Sequence, residues 1–267
     1  MSQPTGTGPA NTGPANTAPA NTAPRVVKAT AHVHSQWSDD GSWPLSRIAA
    51  TFARRGCQVV LMSEHSRGFT AAKWDDYRQA CADASTDRVV LVPGIEYGDL
   101  DDVVHIPVWG QVPFFGDAPP IGDLLKQAAD AGGTAVWAHP WRRAAWQRCD
   151  PAWWDYLGAV EVWNRKYDGI APNRDSLALA RQHQAAQFVA LDFHTRRQLF
   201  PLSLGLSVTG PASDGLPGCD EVYRALRDGE FTARAFGIKI GQLTTGPAGP
   251  ALRMLERARR AAARVLH

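Results

Sequence analysis

The stretch TAHVHSQWSDDG, residues Thr30–Gly41, follows an apolar run and holds two histidines and two adjacent aspartates. In a β-strand, side chains two positions apart point to the same face. We therefore expect His32 and His34 to project side by side near the end of a strand, with Asp39 and Asp40 on the loop that follows. Imidazoles and carboxylates are common ligands of Zn, Mn and Fe, so this stretch is a candidate metal site. The same pattern also occurs on strands that bind no metal.

The composition is that of a globular protein. The chain has 267 residues, of which 44% are hydrophobic and 20% charged, and its formal net charge is +2. This near-neutral charge disfavours a surface for nucleic acid or membranes. The four cysteines form no Cys-x-x-Cys pair, and no run of about 18 apolar residues or signal peptide is present. These features predict free cysteines and a cytoplasmic location; they do not indicate an oligomeric state.

Residues 1–24 differ from the rest of the chain. Residues 8–22 consist of the units GPANT, GPANT and APANT, which carry regular prolines and almost no bulky apolar side chains. Such a segment cannot bury a core, so we predict a disordered N-terminal arm at 1–24 and a folded domain at 25–267.

The domain alternates between short β-like runs and helical stretches. Strands are predicted at 26–33, 59–62, 88–92, 103–108, 134–137, 159–163, 188–191 and 202–208. Helices are predicted at 44–55, 71–83, 121–131, 151–156, 173–185 and 220–227, with a basic helix at the C-terminus. Repeated β-then-α units imply an α/β fold with parallel strands, either a barrel or a doubly wound sheet, and the continuous series of strands favours a barrel.

Polar side chains gather at the ends of these predicted strands. Six of the eight histidines fall at or near a strand's C-terminal end, together with several carboxylates: His32, His34, Asp40, His65, Glu96, His105, His139, Asp192 and His194. The active sites of barrel enzymes lie on this rim. The set is too large for one metal ion and indicates a cluster of two or three.

The ordered motifs HVHS with SDDG, then SEH, GIEYG, AHP and LDFH resemble those of the PHP (polymerase and histidinol phosphatase) family. The resemblance spans roughly Lys28–Thr195. It implies a distorted (βα)7 TIM-like barrel that holds two or three divalent metal ions: Mn, Fe or Zn. Members of the family hydrolyse phosphate esters, and some act as exonucleases or as domains attached to DNA polymerases.

The resemblance also implies a set of metal ligands. The first metal would be bound by His32, His34, Glu96 and Asp192, with Glu96 bridging to a second metal that also binds His105 and His139. The third metal would be bound by Asp40, His65 and His194. One departure is visible, because the usual Thr-Asp-His of the second motif is here Ser63-Glu64-His65. The histidine is the ligand, so this change concerns the surroundings of the metal more than its binding.

Phosphoester hydrolysis is the function that the resemblance implies. A metal-bridging hydroxide would be the nucleophile, so no catalytic side chain is expected beyond the ligands. The expected substrate is a small phosphomonoester or a nucleotide-like phosphodiester, and a nucleic-acid partner is disfavoured. The segment VEVWN, Val160–Asn164, also resembles a branch of the family that hydrolyses carbamate esters. Two alternatives therefore stay open: the same metal-hydroxide chemistry on a non-phosphate ester or amide such as a carbamate, or a non-catalytic metal-binding module.

An anionic substrate needs cationic groups near the rim. Arginines follow four of the ligand-bearing motifs, and the predicted substrate-binding residues, in order of preference, are Arg142, Arg67, Arg165 and Arg196. Six of the ten tryptophans fall within residues 137–163. We expect them to pack in the core; an aromatic pocket over the metals is the alternative. Asp39 is either a hydrogen-bond partner for a ligating imidazole or an exposed carboxylate.

Overall fold

The structure is a computed structural model that describes residues 23–210 and 215–265. All but the last two residues of the predicted arm, 1–24, lie outside this range, as does His267. The first strand begins at Arg25, where the folded domain was predicted to start. Within the described residues, no helix is both long and apolar enough to cross a membrane.

The elements follow one another in a β/α series. The strands are β1 (Arg25–Val33), β2 (Val59–Met62), β3 (Glu64–His65), β4 (Val90–Val92), β5 (Gly94–Gly98), β6 (His105–Trp109), β7 (Thr134–Trp137), β8 (Leu157–Asn164), β9 (Ala186–Ala190), β10 (Leu202–Val208), β11 (Phe231–Ala235) and β12 (Ile238–Lys239). The helices are α1 (Leu45–Arg54), α2 (Ala71–Ala84), α3 (Ile121–Asp130), α4 (Arg165–Asp168), α5 (Arg174–Gln182), α6 (Cys219–Arg227), α7 (Ile240–Thr245) and α8 (Ala248–Val265). Short 3-10 segments lie at Arg142–Arg148, Pro151–Asp155 and Arg196–Gln198.

The strands form two six-stranded sheets, which confirms the α/β class. The first has the order β12-β11-β10-β1-β2-β4 and the second β3-β5-β6-β7-β8-β9. In β1 the side chains alternate between exposed and buried up to Lys28 and are all buried from Ala29 to Val33. A strand that is covered on both faces shows such a continuous buried run. Within the described residues the sheets do not close into a barrel, so the (βα)7 barrel stays a prediction.

The expectation of parallel strands throughout is wrong for β6 and β10. The strand β6 pairs antiparallel with both β5 and β7, and β10 pairs antiparallel with β1. Only residues 99–104 connect β5 to β6, which is too short for the helical crossover that a parallel pair needs. Because β6 runs in reverse, its first residue, His105, lies at the rim where the other strands end.

Hydrogen bonds also join the two sheets. The chain after β9 pairs with the end of β1 through Val33 and Phe193, and the Phe193 N–H donates to the His32 carbonyl at 2.9 Å. The strands β2 and β3 are separated only by Ser63, and β4 and β5 only by Pro93. The ligand-bearing ends of β1, β3, β5 and β9 are therefore tied to one another through the backbone.

Tryptophans fill the core beneath these strand ends. Trp137 and Trp163 are fully buried, and Trp137 packs against Trp153 with ring centroids 5.9 Å apart. The Trp109 indole donates to the Met62 carbonyl at 2.7 Å and lies so close to Gly94 that a Cβ there would be 2.4 Å from its ring. Glycine is therefore required at the start of β5.

Candidate metal centre

Nine side chains predicted as ligands converge at one end of the two sheets. They come from the ends of β1 and β9, from β3, β5 and the start of β6, and from the loops after β1 and β7. Ligand atoms within 4.8 Å of one another form three groups: His34, Asp40, His65 and His194; His32, Glu96 and His139; and His32, His34 and Asp192. All of these residues except Asp40 and His65 are buried. The sequence assignment differs from these groups in three respects. His34 also lies within the third-metal group, Glu96 is grouped with His32 and His139 alone, and His105 lies in none of the three groups.

Glu96 is the carboxylate at the centre of the cluster. Its oxygens lie 3.1 Å from His32 Nε2, 3.0 Å from His65 Nδ1, 2.9 Å from His105 Nδ1 and 3.4 Å from His139 Nε2. Burial opposes ionisation, but the neighbouring imidazoles, chiefly His32 and His105, outweigh it and hold the pKa of Glu96 well below its usual range. Glu96 is thus a carboxylate, as a ligand that bridges two cations must be.

Asp40 and Asp192 supply the other carboxylates. Asp40 lies 3.2 Å from His65 Nε2 and 2.9 Å from His194 Nε2. Burial lowers the pKa of His65, but the hydrogen bonds that its ring donates to Asp40 and Glu96 raise it to about 10. Asp192 is buried, which raises its pKa, yet His32 and Lys166 lower it to about 2. The cations that face these carboxylates are imidazoles and, at Asp192, also the Lys166 ammonium, a role that metal ions would take over.

Two buried imidazole nitrogens of the cluster indicate whether its residues can bind a metal ion. The Nε2 atoms of His32 and His34 are buried and have no hydrogen-bond partner in the described chain. Nevertheless, they lie 3.1 and 3.6 Å from the two oxygens of Glu96. A buried polar atom without a partner lowers the stability of the fold. In this cluster, imidazole nitrogens and carboxylate oxygens from several strands face one another. A shared cation satisfies such a donor set, so these residues fit divalent metal ions.

Glu161 orients His32 from behind. One of its buried oxygens lies 2.7 Å from His32 Nδ1, and the other accepts from the His139 backbone N–H at 3.0 Å and from the Asn164 amide at 2.8 Å. An ionised carboxylate can only accept, so His32 Nδ1 carries the proton and Nε2 keeps its lone pair for the cluster.

Replacing Glu161 with glutamine is expected to weaken metal binding about 10- to 100-fold. The glutamine amide can donate to Nδ1 and so allow the wrong His32 tautomer, with the proton on Nε2. Competition with a fluorescent chelator measures the affinity for Mn²⁺ or Zn²⁺. Glu230→Gln, an exposed carboxylate on the chain, is the control; equal affinities in the two variants would contradict the role given to Glu161.

Glu64 organises the loop that carries Asp40. Its buried carboxylate accepts from the Ser35 backbone N–H at 3.0 Å and from the Ser35 and Ser38 hydroxyls at 2.6 Å each. The Ser38 hydroxyl in turn lies 3.2 Å from His34 Nδ1 and accepts from the His65 N–H at 3.0 Å. Ser38 therefore occupies the place proposed for its neighbour Asp39, which is half-exposed and lies 3.7 Å from Arg67.

The backbone is strained at three positions of the cluster. His32, His139 and Asp192 have φ values of 59°, 30° and 47°. These values lie in the left-handed region, which costs non-glycine residues on the order of 1–3 kcal/mol each and which is concentrated at functional sites. At His32 the pairing of β1 with β2 also shifts register, so this residue departs from regular strand geometry.

A cavity of about 440 Å³ opens over the cluster. Of the predicted substrate-binding residues, Arg142 and Arg67 line it, whereas Arg165 and Arg196 do not. Arg142 donates to Asp102 at 2.8 Å and lies 2.9 Å from His105 Nε2. Arg165 instead packs over the Phe200 ring at 5.0 Å. None of the six tryptophans in residues 137–163 lines this cavity.

Among the cavity residues outside the predicted set, two lie on one short helical turn. Lys166 and Tyr167 lie on the α4 turn, which Asn164 caps by accepting from both of their backbone N–H groups. The Tyr167 ring packs against His139 with centroids 4.7 Å apart. The sequence signal was present, since Asn164 is a good N-cap that directly follows a strand, but it marks where a helix begins and not which side chain faces the site.

Asp168, at the end of this turn, is a buried carboxyl. It accepts from the Asn164 N–H at 2.7 Å and the Asn173 amide at 2.9 Å. Burial outweighs these bonds and raises its pKa to about 7. Behind the turn, the Glu256 carboxylate of α8 accepts from the Ile170 N–H at 3.1 Å, so α8 is attached to the same segment.

The free energy of unfolding of the Asp168→Asn variant is expected to depend less on pH than that of the wild type. A carboxyl whose pKa rises on folding binds its proton more tightly in the folded state, so stability falls as pH increases from about 4 through about 7. The loss is on the order of 3 kcal/mol, and asparagine removes it. Urea unfolding at pH 5 and pH 8 measures this difference, with exposed Asp76→Asn as control. If the unfolding free energy of Asp168→Asn changed with pH as much as that of the wild type, this prediction would be contradicted.

No model of a protein family matches the sequence, and no curated protein matches it. Several solved structures are nevertheless similar to the chain. A two-domain protein of Bacteroides vulgatus that contains a predicted PHP-like metal-dependent phosphoesterase aligns with a TM-score of 0.56 and 17% identity over 79% of this chain, which spans 65% of the length of that protein. PsfC of Pseudomonas syringae aligns with a TM-score of 0.58 and 14% identity, over 89% of this chain and 99% of PsfC.

A third similar structure is the lesion-specific endonuclease Q of Pyrococcus furiosus, with a TM-score of 0.53 and 14% identity over 76% of this chain and 56% of the endonuclease. At these identities the similarity concerns the fold. The chain and these structures share a mixed α/β fold. In particular, the chain shares the fold of a PHP-like phosphoesterase, which confirms the resemblance drawn from its motifs.

Proposed function

We propose that the protein is a metal-dependent hydrolase that cleaves phosphoesters. The observation that carries this proposal is the convergence of His, Asp and Glu side chains from six chain segments into three overlapping ligand groups. Metal ions bound there would lower the pKa of a bound water and neutralise charge on the phosphoryl oxygens. The serine that lines the cavity, Ser66, donates its hydroxyl to the Asp117 carbonyl, so it is engaged rather than free to attack a substrate.

Two or three divalent ions, Mn, Fe or Zn, would be held as the sequence resemblance implies. Charge supports this number. Seven carboxylates and three cationic side chains line the cavity, which leaves four excess negative charges when the histidines are neutral. Two divalent ions balance this charge, and a third makes the cavity positive. A positive cavity suits a small dianionic phosphomonoester, with Arg142 and Arg67 as rim contacts.

The rim argues for a small substrate rather than an extended nucleic acid. Its arginines are paired with carboxylates: Arg142 with Asp102 at 2.8 Å, and Arg148 with Asp99 at 2.7 Å. A surface that binds a long phosphate backbone needs cations that are free to contact it. Because one of the similar structures is an endonuclease, the proposed substrates also include a nucleotide-like phosphodiester.

The distorted (βα)7 barrel is the architecture we propose for this site. The near-continuity of β2 with β3 and of β4 with β5 supports it, as do the hydrogen bonds between the chain after β9 and β1. Seven strand positions then follow one another around the cluster. The cytoplasmic location stays a prediction, and all four cysteines are free, as that location requires.

Metal analysis combined with a substrate panel tests the proposal. Protein purified without chelator should contain at least one, and up to three, transition-metal ions per chain. Mn-, Fe- and Zn-loaded samples are assayed on p-nitrophenyl phosphate, bis-p-nitrophenyl phosphate, nucleoside monophosphates and a carbamate ester. Cleavage of phosphates supports the proposal, and cleavage of the carbamate alone supports the alternative chemistry. Less than one metal per chain, with no phosphate hydrolysis on adding Mn²⁺, would contradict both.

A further inference from the structure

Lys166 differs from the other cations of the cavity. Among the described residues that line it, Arg67 is largely exposed beside Asp39, and Arg142 is held by Asp102. The Lys166 ammonium instead lies among the candidate metal ligands. Its Nζ is 3.3 Å from Asp192 Oδ1 and 3.3 Å from His194 Nε2.

These two partners belong to different ligand groups. Asp192 lies in the group with His32 and His34, and His194 in the group with Asp40 and His65. The ammonium is therefore the cation shared by two groups that would each hold a metal ion. When metal ions neutralise Asp192 and coordinate His194, the attraction that keeps Lys166 between them is replaced by repulsion.

The lysine can move without the backbone that carries it. The Asn164 side chain accepts from the Lys166 N–H at 3.0 Å, and Glu256 holds the following residues through Ile170. Four rotatable bonds separate this fixed backbone from the ammonium, whose side chain is 28% exposed toward the cavity. Tyr167 and Arg142 lie on the same side, with the Tyr167 ring 5.5 Å from Lys166 Nζ.

We propose that Lys166 binds the anionic phosphoryl group of the substrate, and that its ammonium passes from Asp192 and His194 to that group when metal ions occupy the cluster. This inference rests on the proposed function and extends it by naming a substrate-binding residue. Lysine provides three donors on a compact charge, which suits a phosphate oxygen.

Lys166→Met tests the inference through binding as well as turnover. Titration of Mn²⁺-loaded protein with inorganic phosphate should show about 10- to 100-fold weaker binding in the variant, because a hydrogen bond to a charged group is lost. Its affinity for Mn²⁺ should stay equal or rise, because a competing cation has been removed. Lys166→Arg should restore part of the phosphate binding, and exposed Lys126→Met should match the wild type.

The possible results distinguish a failure of this inference from a failure of the proposed function. Unchanged phosphate binding in Lys166→Met overturns the inference, and so does a loss of Mn²⁺ affinity, which would make Lys166 a structural part of the ligand cluster. A wild-type protein that binds no Mn²⁺ overturns the proposed function itself, together with the inference. Thermal unfolding of each variant, followed by circular dichroism, confirms that the measured protein is folded.

Discussion

Glu96→Gln is expected to reduce phosphoester hydrolysis by about 10³-fold or more, because this one carboxylate contacts four imidazoles and would bridge two of the proposed metal ions. Glutamine keeps the size of the side chain but loses its charge and one of its two acceptor oxygens. The metal content should fall by at least one ion per chain. Steady-state kinetics and elemental analysis of the same sample measure the two effects.

The control for Glu96→Gln is an exposed glutamate on the same chain. Glu230→Gln changes the net charge by the same amount outside the cavity and should retain full activity and metal content. Near-normal hydrolysis in Glu96→Gln would contradict a bridging role. If the variant kept all its metal but lost activity, Glu96 would act on the substrate instead.

The His139→Ala variant is expected to lose about 10²-fold in activity while remaining folded. His139 Nε2 lies 3.4 Å from Glu96 and 3.7 Å from Asp192, so its removal opens one face of the second candidate metal site. Added imidazole can enter the space of the missing ring and should restore part of the activity. This variant separates an enzyme from a module that binds metal without turnover.

His183→Ala is the matched control for the loss of a histidine. His183 stacks on Trp154 with ring centroids 3.9 Å apart, away from the cavity. Wild-type activity is expected from it. A wild-type protein that binds metal but cleaves no substrate, with His139→Ala behaving identically, would support the non-catalytic module.

Much of the fold could be predicted from the alternation of apolar runs and helical patterns. The predicted strands 59–62, 134–137 and 202–208 match β2, β7 and β10 residue for residue. The direction of β6 could not be predicted, because local patterns show that a strand exists but not which way its neighbours run. The short connection at 99–104 was the available signal.

Most of the predicted ligands could be found because they lie within or just after a hydrophobic run, so that their position at a strand end is a local property; Asp40, in a polar loop, and His105, at the start of β6, are the exceptions. The substrate-binding residues could not be found in this way. The sequence placed a cation on the turn after Asn164, and the structure puts Lys166, not Arg165, in the cavity. Neighbouring residues on a helical turn point about 100° apart, so an error of one position moves the side chain away from the site.

The partners behind the ligands depend on contacts between distant segments. Glu161 reaches His32 across 129 residues of sequence, and Glu64 organises Ser35 and Ser38 from the next strand. No local pattern distinguishes these buried glutamates from others within a strand. Their roles follow only from the folded arrangement of β1, β3 and β8.

The left-handed backbone at His32, His139 and Asp192 sets a limit on how this protein can be engineered. Glycine adopts these conformations without steric cost, so glycine at any one of the three positions would relieve about 1–3 kcal/mol of backbone strain. Each such gain would remove one candidate ligand and leave buried carboxylates such as Glu96 with one partner fewer. A directed-evolution screen therefore has to score metal retention alongside melting temperature, since strain relief and ligand retention exclude each other at these positions.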